Sequence, residues 1–361
     1  MNTMGQKGSV FILFLWVLIL LSSFAFSASF RTRLATKIEA YDSHRFELHY
    51  DFLTGVNLAR FFIESDQETS VDFMGDDWYG MPKDFVDSDF SKRFDLEISD
   101  EESKLDLNRA SEPLLLKFFD VLGKNKIKLE TDPKDLVGSV LAWRGQTAAS
   151  GQSTIGFEHK RAPFESTQEL YMIQKISPHD VKTLLPFVTV RGALFGSQMR
   201  VNLNTVHPFI LEALIYHLSG GEFDKRTLLD QIERFRNIDA YRSNKQESEL
   251  DASEAPPQVF RQSDLNPQTM IQKLGLPNSP EMVQLVNQLV SFLTVDSQYF
   301  RVRIQSQTSK KNSFVLDAVL GLRPIIRVQS VVSTAGSLSR PVGQPVTMPL
   351  EILSWREGIA S

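Results

Sequence analysis

The chain has 361 residues, enough for about two to three domains of ordinary size. Hydrophobic residues make up 42% and charged residues 23%, a balance that excludes a wholly disordered protein. The net charge is −5, so the sequence lacks the basic excess that drives non-specific binding to nucleic acid. Cysteine is absent, which excludes disulfides, thiolate zinc sites and a cysteine nucleophile.

An uncharged apolar run occupies residues 10–28. As a helix, this run would be roughly 28 Å long, close to the hydrocarbon thickness of a bilayer, which is about 30 Å. A helix in a soluble core is rarely apolar on every face over such a length. The run therefore predicts insertion into a membrane.

Three kinds of membrane segment fit this run. It could be a secretory signal cut after small residues such as Ala25 and Ser27, or an uncut signal anchor. The third is a pilin-like leader, residues 1–8, cut between Gly8 and Ser9 on the cytoplasmic side so that the apolar segment stays on the mature protein. The positive-inside rule alone would place the C-terminal side in the cytoplasm, because three basic residues follow the run. We give this bias less weight because acidic residues lie close by: Arg31, Arg33 and Lys37 are followed by Glu39 and Asp42.

The sequence after the run favours the third kind. Apolar residues recur every three or four positions as far as Phe62, and no proline occurs over residues 9–63. One continuous helix over 9–63, roughly 80 Å long, is the simplest interpretation. Its first half would lie in lipid, and its second half would pack one face on a soluble domain. Leu48, Phe52 and Phe62 are expected to form an exposed part of this stripe that binds a partner helix.

Two similar segments occur in the soluble part. Residues 104–108 form a short extended piece before an apolar helix over 114–122, and residues 200–204 do the same before a helix over 210–218. Asn108 and Asn204 are the predicted N-caps of the two helices.

Strands are predicted before and after these helical units. Alternation predicts a strand over 94–98, and a hairpin is predicted from 299–306 and 314–320, with a possible third strand over 325–332. Residues 241–268 are polar and rich in loop-forming residues, which predicts a linker or loop.

These segments, in this order, resemble the type II secretion minor pseudopilin K family (general secretion pathway protein K). The resemblance spans about residues 5–322, and its motifs are specific in combination rather than one by one. The matching stretches are Gly8 before the apolar run and the segments 100–108, 162–170, 185–190, 201–205 and 297–302. The resemblance implies an α+β fold in which a long pilin-like N-terminal helix packs on a small antiparallel sheet, with a large all-helical domain inserted in the sheet.

The resemblance also implies a division of the chain and a function. The divisions are a leader (1–8), the N-terminal helix (9–63), the first part of the pilin-like domain (64–107), the inserted domain (108–292), the C-terminal strands (293–330) and a tail (331–361). The implied function is that of a non-enzymatic subunit that initiates and caps the tip of a periplasmic pseudopilus. Such a subunit is held in the inner membrane by a single span, with its C-terminal domain in the periplasm.

Several partners and modifications follow from the same resemblance. A prepilin peptidase would cut between Gly8 and Ser9, and Ser9 would be N-methylated. The minor pseudopilins I and J, other pseudopilus subunits and the inner-membrane platform would be partners. The fifth mature position is Leu13 rather than the Glu of most pseudopilins, a departure shared with tip-capping K subunits. Calcium binds some members, but residues 143–146 (Trp-Arg-Gly-Gln) lack the acidic run that usually follows this Trp.

Motifs for catalysis are weak. No nucleophile elbow, P-loop or dinucleotide-binding motif occurs, and His44 and His49 are five positions apart and so do not share a helix face. Residues 76–77 and 100–102 are acidic and could bind calcium, although solvated turn carboxylates are the preferred interpretation. We therefore expect no cofactor, no resident metal and no nucleic-acid partner. The alternative function is a membrane-anchored periplasmic binding or enzyme domain with an uncleaved anchor.

Overall fold

The structure is a computed structural model. It describes residues 6–66, 68–82, 85, 90–146, 160–191, 199–219, 225–236, 258–307, 314–322 and 350–359. The chain divides into two compact units, one ending at Asn57 and one beginning at Leu58.

The N-terminal helix α1 spans Gln6–Glu64 without interruption, which confirms the prediction of one long helix. Its 59 residues are roughly 90 Å long. The absence of proline and the regular spacing of apolar residues explain why it continues past the apolar run. Every described side chain from Val10 to Glu47 is exposed, and a buried stripe begins at Leu48.

The remaining regular elements follow one another in short segments. The strands are β1 (Phe94–Asp100), β2 (Leu105–Asp106), β3 (Val188–Thr189), β4 (Val201–Asn202), β5 (Leu293–Thr294), β6 (Tyr299–Ser306), β7 (Phe314–Leu322) and β8 (Leu350–Ile359). The helices are α2 (Glu112–Lys124), α3 (Pro133–Trp143), α4 (Pro178–Leu184), α5 (Pro208–Leu218), α6 (Lys225–Phe235), α7 (Pro267–Lys273) and α8 (Pro280–Val290).

One four-stranded antiparallel sheet has the order β1-β6-β7-β8. Phe94, Leu96 and Ile98 of β1 are buried and alternate with exposed residues, as the period of two predicts. The predicted hairpin is β6 with β7, in which Val302 lies opposite Ala318. The chain between β1 and β6 forms the inserted domain, so the architecture is α+β, as expected.

The strand that joins the hairpin in the sheet is not the segment that the sequence predicted. The segment 325–332, predicted as that strand, lies outside the described residues. The strand that pairs with β7 is β8, in which Leu350 lies opposite Leu322. Residues 350–359, which fall in the division predicted as a tail (331–361), form this strand at the edge of the sheet. Nothing local in the sequence indicates which of two apolar segments pairs with β7.

The predicted linker needs a similar correction at its end. Residues 241–257 lie outside the described part, but Phe260 and Asp264 are buried, and α7 begins at Pro267. Residues 258–268 are therefore a folded part of the inserted domain.

The repeat seen in the sequence is present in the structure. Each unit opens with a two-residue strand in a parallel pair, β2 with β3 in the first unit and β4 with β5 in the second. Each strand leads into a tight turn in which a side-chain oxygen accepts a backbone N–H two residues on, Asp106 from Asn108 at 2.8 Å and Asn202 from Asn204 at 2.9 Å. The helices α2 and α5 follow. We call the segment with β2, its turn and α2 the first unit, and the segment with β4, its turn and α5 the second unit.

The two asparagines that follow these strands do not cap helices, so that prediction is wrong. Ser111 caps α2, and the Nδ1 atom of His207 accepts the Phe209 N–H at the start of α5. Local spacing allowed a cap at either Asn, but the side chains bind elsewhere.

Each asparagine instead holds a segment 56 positions later in the chain. Asn108 Oδ1 accepts the N–H of Phe164 at 2.7 Å, and its Nδ2 donates to the Phe164 carbonyl at 2.9 Å. Asn204 forms the same pair of bonds with Phe260, at 2.9 and 3.0 Å. Both phenylalanine rings are buried, so the asparagines fix two core residues by satisfying their backbone.

One arginine in each unit closes the same turn from its other side. Arg144 Nη1 donates to the carbonyls of Leu107 and Ala110, and Arg236 Nη1 donates to those of Leu203 and Val206. Arg144 stands where the sequence departs from the K-family pattern. Its observed role is to satisfy carbonyl groups in the first unit.

Candidate functional site

The apolar half of α1 is the first candidate functional region. Residues 10–30 expose apolar side chains all round the helix, and α1 is long and apolar enough to cross a membrane once. Such a surface is stable in lipid and unfavourable in water. Gly8 and Ser9, the predicted cleavage pair, lie in the first turns of this helix, and Leu13 is exposed one turn further on.

The predicted partner face of α1 is not exposed. Leu48 and Phe52 are 7% and 1% exposed, and Phe62 is half-buried. They follow the same helical period as Val56 and Ile63, which are also buried. We name Leu48, Phe52, Val56, Ala59 and Ile63 the buried stripe. The sequence pattern correctly indicated an apolar face on α1, and the assignment of Leu48, Phe52 and Phe62 to a face that binds a partner helix stays a prediction.

The second candidate region is the junction between the sheet and the inserted domain, at the end of β1. Asp100, Glu101 and Glu102 were expected to be solvated turn carboxylates, but all three are buried. They form the end of β1 and a 3-10 turn over Glu101–Ser103. The sequence could not indicate this burial, because a run of three acidic residues usually lies in solvent.

Asp100 binds the second unit through hydrogen bonds. Its Oδ2 atom accepts the hydroxyls of Thr205 and Ser297, the latter at 2.7 Å, and Nδ2 of Asn202 at 3.2 Å. Its Oδ1 atom accepts the Glu102 N–H at 2.7 Å. Burial raises the pKa of Asp100, although these four donors oppose the shift.

Glu101 binds the first unit and the sheet through charges. Its carboxylate pairs with Lys104 at 2.5 Å and with Nε of Arg301, on β6, at 2.6 Å. The Thr189 hydroxyl of β3 donates to its second oxygen. Burial would raise the pKa of Glu101, but the two cations outweigh burial and hold that pKa well below its usual range.

Two further acidic groups at the junction have raised pKa values. Asp72 accepts the Ser297 N–H at 2.6 Å, and burial, with Asp100 as a nearby like charge, raises its pKa to about 8. Burial and the charge of Asp100 also raise the pKa of Glu102 well above its usual value. The folded protein therefore holds protons here at pH values where the unfolded chain has released them.

Three carboxylates before β1 have a geometry that could hold a metal ion. Oxygen atoms of Asp66, Asp72 and Asp76 lie within 4.8 Å of one another. Hard oxygen ligands suit calcium. All three carboxylates already accept protein donors: Asp66 accepts the indole N–H of Trp78 at 3.3 Å, Asp76 the Phe73 N–H at 2.8 Å, and Asp72 the Ser297 N–H. The sequence indicated Asp76 with Asp77, but Asp77 is exposed and not in the group.

Comparison with known proteins supports the architecture. No protein-family model and no curated protein matches the sequence. Among solved structures, the chain is similar to a chain of the GspK-GspI-GspJ complex from the enterotoxigenic Escherichia coli Type 2 Secretion System. The match covers 89% of this chain and 99% of that chain, with a TM-score of 0.52 and 14% sequence identity. It shows that the chain has a GspK-like, α+β pilin-like fold with an inserted helical domain.

Proposed function

We propose that this chain is a minor pseudopilin that initiates and caps the tip of the periplasmic pseudopilus of a type II secretion system. The observation that carries the proposal is the combination of a membrane-length helix continuous with a soluble domain and a bulky domain inserted between β1 and β6. A filament subunit needs the first feature to pack beside its neighbours in the membrane. The inserted bulk suits a terminal position, where no subunit lies above it.

The partners and location belong to the same proposal. The solved structure with the similar fold is a complex of GspK, GspI and GspJ, which supports minor pseudopilins I and J as partners. Other pseudopilus and platform subunits would follow in the assembly. The protein would span the inner membrane once, with its C-terminal domain in the periplasm, and its role in exporting folded proteins across the outer membrane would be structural rather than enzymatic. Leu13 avoids an unpaired carboxylate in lipid, as a tip subunit requires.

The processing site gives the sharpest test. We expect a prepilin peptidase to cut between Gly8 and Ser9 and the new N-terminus to be methylated, because Gly8 directly precedes the uncharged helix. Mass spectrometry of the mature protein should find a chain that starts at Ser9 with one added methyl group. Gly8→Leu should keep the leader attached, and Gly5→Leu, three residues upstream, is the matched control.

Two other results would overturn the proposal in different ways. A mature start near Ala28 would mean that the apolar segment is removed as a secretory signal. An intact leader in the wild-type protein would favour the alternative of an anchored binding or enzyme domain.

Calcium binding by Asp66, Asp72 and Asp76 is a separate proposal, and isothermal titration of the full-length protein in detergent with calcium chloride tests it.

A further inference from the structure

The proposed function leaves unexplained three basic residues that follow the apolar run of α1. Arg31, Arg33 and Lys37 are exposed, and we name them the basic collar. All three belong to the compact unit that ends at Asn57. The apolar run ends at Ala28, so the basic collar begins where the hydrocarbon core of a bilayer would end.

The charges of the basic collar are not neutralised by neighbours on the helix. An ion pair on a helix surface needs an acidic residue three or four positions away, and none of the three collar residues has one. Thr32 and Thr36 lie between the cations and donate their hydroxyls to carbonyls one turn back, each at 3.0 Å. The three cations are therefore the polar groups that this part of α1 presents to an outside partner.

Helix geometry directs the collar side chains back toward the membrane. The Cα–Cβ bonds of an α-helix tilt toward its N-terminus, and the apolar run lies on that side. Along the helix axis, Arg31 lies roughly 5 Å and Lys37 roughly 14 Å beyond Ala28. The headgroup layer on each side of the hydrocarbon core is about 5–8 Å thick, and long Lys and Arg side chains extend to such a layer. All three cations can therefore reach lipid phosphates.

The nearest acidic residues lie farther from the bilayer than the basic collar. Glu39 and Asp42 are roughly 17 and 21 Å beyond Ala28 along the axis. Glu39 points roughly 160° away from Lys37 around the helix, and Asp42 lies three positions from Arg45, the spacing of an ion pair. Positive charge thus precedes negative charge as the helix leaves the bilayer, an order that complements an anionic surface.

We infer that the basic collar binds the phosphate groups of anionic phospholipids at the end of the membrane span. Guanidinium groups bind phosphate through paired hydrogen bonds, and each basic residue close to an anionic membrane surface adds attraction. This inference goes beyond the proposed function, which assigns no lipid to the chain. It also gives the three cations that follow the span a role other than setting topology.

The lipid selectivity of the full-length protein tests the inference. The protein would be reconstituted in phosphatidylcholine vesicles that contain spin-labelled phosphatidylglycerol or spin-labelled phosphatidylcholine. Electron paramagnetic resonance would measure the fraction of each label that the protein immobilises. We expect a preference for phosphatidylglycerol of about twofold or more in about 20 mM salt, and almost none in about 500 mM salt, which screens the charges. The chain has a net charge of −5, so a preference for an anionic lipid must come from a local basic surface.

Substitutions assign that preference to the basic collar. The triple variant Arg31→Gln, Arg33→Gln and Lys37→Gln should lose the preference for phosphatidylglycerol. The matched control removes three positive charges at exposed positions of the inserted domain and should keep the preference. Its substitutions are Lys128→Gln, Lys134→Gln and Lys175→Gln. Arg31→Lys with Arg33→Lys keeps the charge and should keep most of the preference.

Three results would overturn the inference. The first is equal immobilisation of the two labelled lipids by the wild-type protein in low salt. The second is a collar variant that keeps the wild-type preference for phosphatidylglycerol. The third is a wild-type protein without lipid preference whose collar variant no longer co-purifies with pseudopilins I and J, because the collar would then bind a protein. The site of leader cleavage is measured separately, so failure of the proposed function is a distinguishable result.

Discussion

The first and second units of the inserted domain share one local design but meet the end of β1 through different chemistry. The first unit is held by charge, since Glu101 pairs with Lys104 and Arg301 and accepts the Thr189 hydroxyl. The second unit is held by hydrogen bonds from Asn202 and Thr205 to Asp100. Glu101 and Asp100 are neighbours at the end of one strand, yet Glu101 binds cations and Asp100 binds neutral hydrogen-bond donors.

The identity of one turn residue explains much of the difference in how the two units bind the end of β1. The residue that closes the turn is Asp106 in the first unit and Asn202 in the second. Both accept the backbone N–H two residues on, so the turn is the same. Only Asn202 also has a donor, and its Nδ2 atom reaches Asp100, Ser297 and the Asp72 carbonyl. A single amide in place of a carboxylate therefore allows the second unit to donate to the Asp100 carboxyl group and to two neutral acceptors beside it.

Glu101→Gln should have the largest effect, because it leaves Lys104 and Arg301 without their buried anion. Breaking a buried ion pair from one side costs about 3–5 kcal/mol. A urea titration of the full-length protein in detergent would measure this loss in the free energy of unfolding. The pKa of Glu101 is lowered in the folded state, so its contribution is present above the unfolded pKa and is lost as the pH falls. Glu97→Gln, on the exposed face of β1, is the control and should change stability by no more than about 0.5 kcal/mol.

Exchanging the turn residues tests the comparison directly. Asn202→Asp puts another carboxylate beside Asp100 and removes a donor, and we expect a loss of about 2–4 kcal/mol at pH 8. The loss should be smaller at pH 5, where the added carboxyl group can hold a proton. Asp106→Asn keeps the acceptor for the Asn108 N–H and removes the long, 3.8 Å ion pair with Arg109, so it should stay within about 1 kcal/mol of the wild type. Equal losses for the two variants in urea titrations would contradict the assignment of different roles.

Of the two bridging asparagines, Asn204 in the second unit should contribute more to the free energy of unfolding than Asn108 in the first. Asn204→Ala leaves the N–H and carbonyl of buried Phe260 without partners, which costs about 2 kcal/mol. Asn108→Ala should cost about 1 kcal/mol, because Asn108 is only half-buried and water can replace it at Phe164. Thermal unfolding followed by circular dichroism would rank the two. A larger loss for Asn108→Ala would mean that the first unit depends more on its bridge than burial indicates.

Glu102→Gln should have the smallest effect, and it should be stabilising. The Glu102 pKa is raised in the folded state, so stability from this group falls as the pH rises above its unfolded pKa. A glutamine keeps an acceptor for the Gln298 N–H and never ionises. We expect a gain of about 1 kcal/mol at pH 8 and almost none at pH 4. A pH series of melting temperatures checks this, and a gain that is the same at both pH values would contradict a titrating carboxyl group.

Local patterns in the sequence were enough for several elements. The unbroken period of α1 and the alternation of β1 and β6 depend on residues a few positions apart. The same holds for the repeat, because each unit has its own extended piece and apolar helix. These features could be predicted because neighbouring residues alone determine their hydrogen bonds and their periodicity.

Local patterns could not indicate which of several equivalent residues meet in the folded protein. Asn108 and Asn204 satisfy the rules for a cap, yet their partners lie 56 positions away, and β8 pairs with β7 across a long connection. The acidic residues at the end of β1 become buried because Asn202, Thr205, Lys104 and Arg301 converge on them from other elements. Local sequence was enough for the long helix, β1, the hairpin of β6 with β7 and the repeated unit. The choice of partners depends on the three-dimensional arrangement, because the burial and charge of a side chain are set by residues distant in the chain.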